Sequence, residues 1–427
     1  MKVAEILKEV LVKVSPPKED LDEINTYLEN FLMQFKNEVR KKKMIVDVFV
    51  GGSFAKKTVI KKDSYDVDIF MRFDAEKYKD REISEILREL IKNAGYELHE
   101  IHGSRDYFRI KPDEKFSLEI VPVIKVAKPS KAENITDLSY SHVKYINKKI
   151  KDKRILDEIK ITKAFCYATG TYGAESYIHG FSGYALELLV YHYKSFMNFA
   201  KAMVKSKEKK IIIDIEKFYR NKNEVMMNLN SAKIQAPVIV IDPTYKQRNV
   251  TAALSEETFE KFKTECAKFL KHPSLDSFSV KTLDLEKIKK ESAKKKLEFC
   301  MVKIKTNRQE GDIAGSKLLK FYNFFVKETE ANFEVKNSGF EYDGKHGGRI
   351  FLSVKSKKEI ILGGPRVGDK KNISAFKKRH KKVFIKKGRF YSKEIINFGI
   401  KEFLEKWKKK NYGRTIEMDV SEMEVAN

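Results

Sequence analysis

Apolar positions in residues 1–42 recur every three to four residues, the spacing that lines up one face of a helix. The pattern breaks at Ser15-Pro16-Pro17 and restarts in KEDLDEI, whose acids suit a helix N-terminus. The period then changes. MIVDVFVGGS (44–53) is a β-branched run ending in glycines, which predicts a strand and a tight turn, and YDVDIFMRF (65–73) predicts a second strand. A helix is expected over 82–94, with further strands at 104–110 and 116–126 (FSLEIVPVIKV). Together these give a small mixed sheet carrying helices, so the fold class is α+β.

Helical periodicity returns over 141–230, in HVKYINKKI, ILDEIKITKAFCYATG and GFSGYALELLVYHYKSFMNFAKAMV, with Gly170, Gly173, Gly180 and Gly183 at the joins. A strand-like APVIVIDP (236–243) precedes a helix expected to begin at Ser255 with Glu256 and Glu257 in its first turn. The last third alternates short strands and helices and is expected to finish on the lysine-rich helix KEIINFGIKEFLEKWKKK. No repeat or low-complexity linker marks the joins. The expected domains are 1–140, 141–260 and 261–427.

Length and composition change this picture only in number. A chain of 427 residues with 42% hydrophobic content can fill two or three separate cores. Charge adds a partner. Lysine and arginine outnumber acids 87 to 61, a formal charge of +26, of which residues 261–427 carry +19 and residues 1–260 the remaining +7. An acidic polymer is the expected partner, met largely by the C-terminal part. Cys166, Cys266 and Cys300 have neither metal-ligand spacing nor the number for a disulfide framework. A reduced, cytoplasmic setting is expected, with no membrane partner, because MKVAEILKEVLVKV lacks the apolar core of a signal peptide and no run approaches a membrane span.

The chemistry concentrates in Gly51–Phe73. Strand side chains alternate between faces, so Asp66 and Asp68 share one face and repel each other unless a cation neutralises them. Such a pair suits a hard divalent cation such as Mg²⁺, which takes oxygen ligands and leaves positions open for water and phosphate. On the later strand Ser117, Glu119 and Val121 share one face, which makes Glu119 a candidate third carboxylate. Backbone N–H groups of Gly52 and Ser53, the Ser53 hydroxyl and the Lys56 ammonium could all address phosphate oxygens. His142 and His179 are expected to be structural or surface residues, and Cys166 a small core residue.

The string GGSFAKKT…YDVDIF resembles the nucleotidyltransferase signature of the DNA polymerase beta-like superfamily. Downstream, AENITDLSYSHVKYI, KAFCYATGTYGAESYIHGFSGYALELLVYHYKSF and VIDPTYKQRNVTAALS are similar in order and spacing to the archaeal class I CCA-adding enzymes. The likeness runs from about residue 45 to about 275 and resumes weakly at GGPRVGDKKNISAFKKRHKKVF and GRFYSKEI. It implies template-independent addition of C, C and A to the 3′ end of tRNA from CTP and ATP, at a two-metal Mg²⁺ site held by Asp66, Asp68 and Glu119. The three expected domains become a catalytic head, a helical neck, and a body and tail that grip the acceptor and T arms of tRNA, in a possible homodimer.

The resemblance also assigns Lys163 and Tyr172 to the triphosphate, Thr136 to another nucleotide contact and Arg248 to choice of base. Two positions depart from it. Glu119 stands where the family usually has aspartate, and Lys56 where it commonly has arginine, so Lys56 would meet phosphate as a point charge without a bidentate fork. The run Lys371–Phe390 carries +9 with Phe376, Val383, Phe384, Ile385 and Phe390 interleaved. Lys377, Lys378, Arg379, Lys381 and Lys382 are its expected RNA contacts. Other readings are a poly(A) polymerase or other terminal nucleotidyltransferase, or a catalytically inactive RNA-binding relative.

Overall fold

The computed structural model describes residues 2–78, 81–280 and 283–426. It divides into two compact units, Met1–Lys281 and Thr282–Asn427.

The first unit opens with α1 (Val3–Val14) and α2 (Lys18–Lys41), separated at the expected Pro16-Pro17 break, with Glu19 and Asp20 in the first turn of α2. Next come β1 (Val46–Val50), the single-turn α3 (Gly52–Ala55) and β2 (Tyr65–Asp74). After them follow α4 (Ala75–Tyr78), α5 (Ile83–Asn93), β3 (His99–Ile101), β4 (Tyr107–Ile110) and β5 (Phe116–Lys125). The strands form one sheet in the order β1-β2-β5-β4-β3. Its central pair, β2 and β5, is parallel, and the other neighbours are antiparallel.

Alternation along β2 and β5 sends Val67, Ile69, Met71, Phe73, Leu118 and Ile120 into a core with Phe31 and Phe35 of α2 and Leu87, Leu90 and Ile91 of α5. Asp66, Asp68, Ser117 and Glu119 are thereby left on the opposite face. A slip of one residue in either strand would exchange the two sets, so burial of the apolar set fixes the position of the acids.

A second core of the same unit is helical. It draws on α6 (Ser139–Lys149), α7 (Lys153–Ala168), α8 (Gly183–Tyr193) and α9 (Phe196–Lys205), and on α11 (Glu256–Lys271), which follows α10 (Lys222–Asn228). Phe165, Phe181, Phe196, Phe199, Phe262 and Phe269 meet in it as a cluster of edge-on, tilted and stacked rings. A three-stranded sheet of β6 (Ile211–Ile213), β7 (Val238–Asp242) and β8 (Tyr245–Asn249) adjoins this core. Cys166 and Cys266 are buried within it, consistent with small apolar residues.

This core runs across two of the expected domain limits. Ile6 and Val10 of α1 pack into it, so the N-terminal helix joins the helices of 141–271 rather than the core under the five-stranded sheet. The boundary expected near 260 falls inside α11, whose Phe259, Phe262 and Phe269 are buried there, and the division lies between Lys281 and Thr282.

In the second unit the four-stranded sheet contains β9 (Glu298–Lys305), β10 (Phe333–Tyr342), β11 (Gly347–Ser356) and β15 (Glu422–Ala426), in the order β10-β11-β9-β15. Helices α12 (Leu285–Lys294), α13 (Asp312–Glu330), α15 (Ile400–Lys410) and α16 (Tyr412–Glu417) accompany it. Val302, Ile304, Phe321, Phe325, Leu352, Leu404 and Trp407 form its core. A separate sheet holds β12 (Glu359–Arg366), β13 (Val383–Lys386) and β14 (Arg389–Ile395), with α14 (Lys370–Arg379) packed on β12. The lysine-rich helix is shorter than expected, since 393–395 belong to β14, and β15 follows it to pair antiparallel with β9.

Candidate active site

The turn after β1 is pressed against β2. Gly51 N–H donates to the Asp68 carbonyl at 2.8 Å. A Cβ on Gly51 would lie 2.3 Å from the Phe70 ring, and one on Gly52 would lie 1.7 Å from Asp68 Oδ2. Gly52 also has φ +59°, a left-handed conformation that costs other residues strain. Both glycines are required by space, and the second also by backbone conformation.

Across the parallel pair Asp66 is in register with Ser117 and Asp68 with Glu119. The Ser117 hydroxyl donates to Asp66 Oδ1 at 3.0 Å. Arg109 on β4 faces Glu119 and donates to its Oε1 from Nη2 at 2.9 Å and Nε at 3.2 Å. Glu119 therefore neighbours the acidic pair, as expected, but its carboxylate is engaged by a cation.

Asp68 lies half-buried on the cavity floor. Burial, the Glu119 charge and, more weakly, Asp66 raise its pKa to about 7, against the opposing pull of Lys56. Burial and Asp66 also raise Glu119, against Arg109. These acids carry more negative charge than their surroundings neutralise. Oxygen donors on two adjacent strands in this condition fit a hard divalent cation. The three carboxylates are not yet gathered around one point. Among the described residues only Glu100, His102 and Asp106 place all their ligand atoms within 4.8 Å of one another, on and beside the edge strand β3.

A cavity of about 250 Å³ opens above the acids. Ser53, Lys56, Thr58, Asp66, Asp68 and Glu119 line it from the sheet side, and Lys163, Tyr172, Gly183 and Glu187 from the helices. The fold thus joins Lys163 and Tyr172 to residues about a hundred positions upstream. Both lysines are held in place. Lys56 Nζ is 2.6 Å from Glu187 Oε2, and Lys163 Nζ is 2.9 Å from Glu187 Oε1 and 2.8 Å from Thr58 Oγ1. Burial alone would raise the Glu187 pKa, but Lys163 and Lys56 outweigh it and pull the group down to about 2. Burial pushes Tyr172 up to about 12, so its phenol stays neutral and can donate a hydrogen bond.

Arg248 is anchored rather than free. Its Nη1 lies 2.7 Å from Asp242 Oδ2, which is also 3.0 Å from His142 Nε2. Asp242 Oδ1 accepts from the Tyr184 hydroxyl at 3.3 Å and from Thr244 N and Oγ1, each at 2.8 Å. Burial opposes ionisation of Asp242, yet His142 and Arg248 hold its pKa well below the usual carboxylate range. Burial in turn lowers His142, against Asp242. Asn134, Ile135, Ser182, Tyr245, Arg248 and Asn249 line a second cavity of about 370 Å³.

Thr136 lines neither cavity. Its N and Oγ1 bond Asn134 Oδ1, at 3.0 and 2.9 Å, in the cap of a short helical turn over 135–138. In the second unit Lys377, Lys378 and Arg379 end α14, and Lys381 and Lys382 follow it, all exposed. Lys377 Nζ stands 5.2 Å from the Phe390 ring centre.

Sequence reasoning missed Glu187 and set His142 aside. The one signal for Glu187 was an acid alone in the apolar string ALELLV; for His142 none was visible before Asp242 was seen beside it.

Over 90% of its length the chain is 35% identical to the CCA-adding enzyme of Nanoarchaeum equitans, covering 91% of that protein. The chain belongs to the CCA-adding enzyme family. The CCA-adding enzyme of Methanocaldococcus jannaschii is 30% identical over 98% of this chain and 96% of its own. Residues 157–279 match the family model of the tRNA nucleotidyltransferase second domain, and residues 1–139 that of the Second Messenger Oligonucleotide or Dinucleotide Synthetase domain. Among solved structures the Cid1 poly(U) polymerase with Mg and 3′-dATP aligns with a TM-score of 0.52 at 13% identity, covering 65% of this chain and 98% of that one. At that identity the likeness is one of fold. Membership of the CCA-adding family covers both units, and no helix among the described residues is long and apolar enough to cross a membrane.

Proposed function

We propose that this chain adds C, C and A to the 3′ end of tRNA without a template, from CTP and ATP, with release of pyrophosphate. The observation that carries this reading is the single cavity in which Asp66 and Asp68 on β2 face Lys56, Lys163 and Tyr172. A nucleotidyl donor needs an acidic cation site and a cationic triphosphate site that close.

Mg²⁺ held by Asp66 and Asp68, with Glu119 once it leaves Arg109, would supply Lewis acidity at the attacking and leaving oxygens. The protein's own part is positioning. Ser53 and the Gly52 backbone approach from the turn, and Lys56 and Lys163 present ammonium groups already oriented by Glu187. The neutral Tyr172 hydroxyl offers a donor that adds no charge. Arg248, steadied by Asp242, can donate to acceptors that C and A share, which supports a role in choosing the base. Thr136 enters the same reading only as a second-rank contact, because its hydroxyl is occupied by Asn134.

Lys377, Lys378, Arg379, Lys381 and Lys382 supply exposed positive charge to tRNA phosphates, which positions a duplex without reading its sequence. The acceptor and T arms as the gripped parts, a homodimer and a cytoplasmic setting complete the proposal. Purified protein given tRNA lacking its CCA, Mg²⁺, and CTP and ATP separately and mixed tests it. Growth that stops at CCA is expected. Homopolymer tails would indicate a different terminal nucleotidyltransferase, and no incorporation an inactive RNA-binding relative.

A further inference from the structure

Glu187 sits mid-way along α8 with no exposed surface, between Leu186 and Leu188, both fully buried. A carboxylate in such a place is costly unless paired and hydrogen-bonded. Its partners come from two separate parts of the chain: Lys56 and Thr58 from the segment between β1 and β2, and Lys163 from α7. Oε2 takes Lys56, while Oε1 takes Lys163 and the Thr58 hydroxyl at 2.8 Å. Lys163 and Lys56 are only 2% and 8% exposed. Neither ammonium can satisfy itself with bulk water, and each would repel the other without the carboxylate between them.

We propose that Glu187 is a positioning residue for the triphosphate: it fixes Lys56 and Lys163 as a paired cationic wall without itself touching the nucleotide. This rests on the function proposed above. The carboxylate does two things at that wall. It offsets the mutual repulsion of two buried ammonium groups, and it fixes where they stand: Lys163 spends its three N–H groups on Glu187 Oε1 and the Thr58 carbonyl and hydroxyl, while Lys56 gives one to Oε2 beside the cavity.

Loss of the Glu187 charge should act opposite in sign to simple Coulomb attraction. The group of Glu187, Lys56 and Lys163 carries a net +1, and Glu187→Gln raises it to a formal +2. Added positive charge at a phosphate site should tighten binding. If Glu187 instead places the lysines, its loss lets Lys56 swing away from the wall, and binding weakens.

The test uses the full chain. Inorganic tripolyphosphate binding is measured by calorimetry, KM for CTP and for tRNA lacking CCA are measured separately, and folding is followed by thermal melting. Glu187→Gln is expected to weaken tripolyphosphate binding and raise KM for CTP by about tenfold or more, with KM for tRNA within about twofold of wild type. Glu187→Asp should restore part of the loss. Thr58→Val, which removes one partner of the group, should act in the same direction by about threefold, and it decides the matter if Glu187→Gln does not fold. Unchanged or tighter tripolyphosphate binding, or an equal rise in both KM values, would overturn the inference. Wild-type protein that binds tripolyphosphate but extends no tRNA would sink the proposed function alone, leaving Glu187 to be judged by calorimetry.

Discussion

Asp68→Asn isolates the cost of holding a carboxylate on the cavity floor. Its folded pKa stands at about 7 against an ordinary 3.8. A difference of about 3 pH units corresponds to ~4 kcal/mol at most, and the open side of the cavity screens part of it, leaving about 2–4 kcal/mol. The sign follows from the raised pKa. Below the unfolded value both states hold the proton and Asp68 costs nothing; as pH rises towards 7 the unfolded chain ionises freely while the folded one resists, so stability is lost. Asparagine keeps the shape and never ionises.

In metal-free buffer the variant should match wild type near about pH 3 and exceed it by about 2–4 kcal/mol near about pH 8. Paired urea titrations across that range, with and without Mg²⁺, measure the difference; ionisations remote from the site cancel, while relief of the repulsion on Glu119 and Asp66 acts in the same direction as the loss of the Asp68 charge. Saturating Mg²⁺ should restore wild type far more than the variant, since the cation binds the ionised form. Nucleotide transfer by the variant should fall by more than about tenfold while tRNA binding persists. A variant no more stable than wild type at the alkaline end, or a pH-invariant gap, would refute an uncompensated carboxylate at this position and with it the physical ground for a cation site on β2.

Three further outcomes follow from named contacts. Gly52→Ala forces a left-handed φ costing about 1–2 kcal/mol and drives a methyl onto Asp68 Oδ2, so transfer should drop while tRNA affinity, read by filter binding, holds. Neutralising Lys377, Lys378 and Arg379 together should weaken tRNA binding and reduce the slope of log K against log salt by about 2–3 if each meets a phosphate; an unchanged slope would move the RNA footprint elsewhere. Asp242→Asn removes the ion pair that steadies Arg248, and discrimination of CTP and ATP against UTP in single-nucleotide extension should relax by about tenfold. Retained selectivity would show that Arg248 is placed by other contacts.

What the sequence disclosed depended on how local the determining physics was. Asp66 and Asp68 share a face because β2 alternates, and seven residues of sequence suffice to see that. That Glu119 lies beside Asp68 depends on a parallel pairing between strands about fifty residues apart, which spacing alone leaves open. Lys163 and Tyr172 were placed by resemblance, since a lysine in a helix and a tyrosine after it have no local mark of function. Glu187 was hidden for a related reason: its meaning lies wholly in partners at 56, 58 and 163. The same holds for Ile6 and Val10. Their amphipathic helix was legible, whereas its docking on the neck core and not on the nearby sheet was not. The limit expected near 260 had no linker or composition break to mark it, and the phenylalanines of α11 carry the helical core across it.

The exchange of aspartate for glutamate at 119 acquires a physical meaning from Arg109. These two residues face each other across β4 and β5, and the longer side chain lets the carboxylate meet both guanidinium donors. The pairing lowers the burden of three acids in one place, because Arg109 opposes the rise in the Glu119 pKa. It also sets up a competition. On the proposed reading, a cation entering between Asp66 and Asp68 would compete with Arg109 for the Glu119 carboxylate, and the strength of that ion pair would set how readily Glu119 joins the site. Arg109→Met should then strengthen Mg²⁺ binding in titrations followed by thermal melting, provided the protein remains folded. Weaker Mg²⁺ binding in a folded variant would mean that Arg109 orients Glu119 for the metal instead of withholding it.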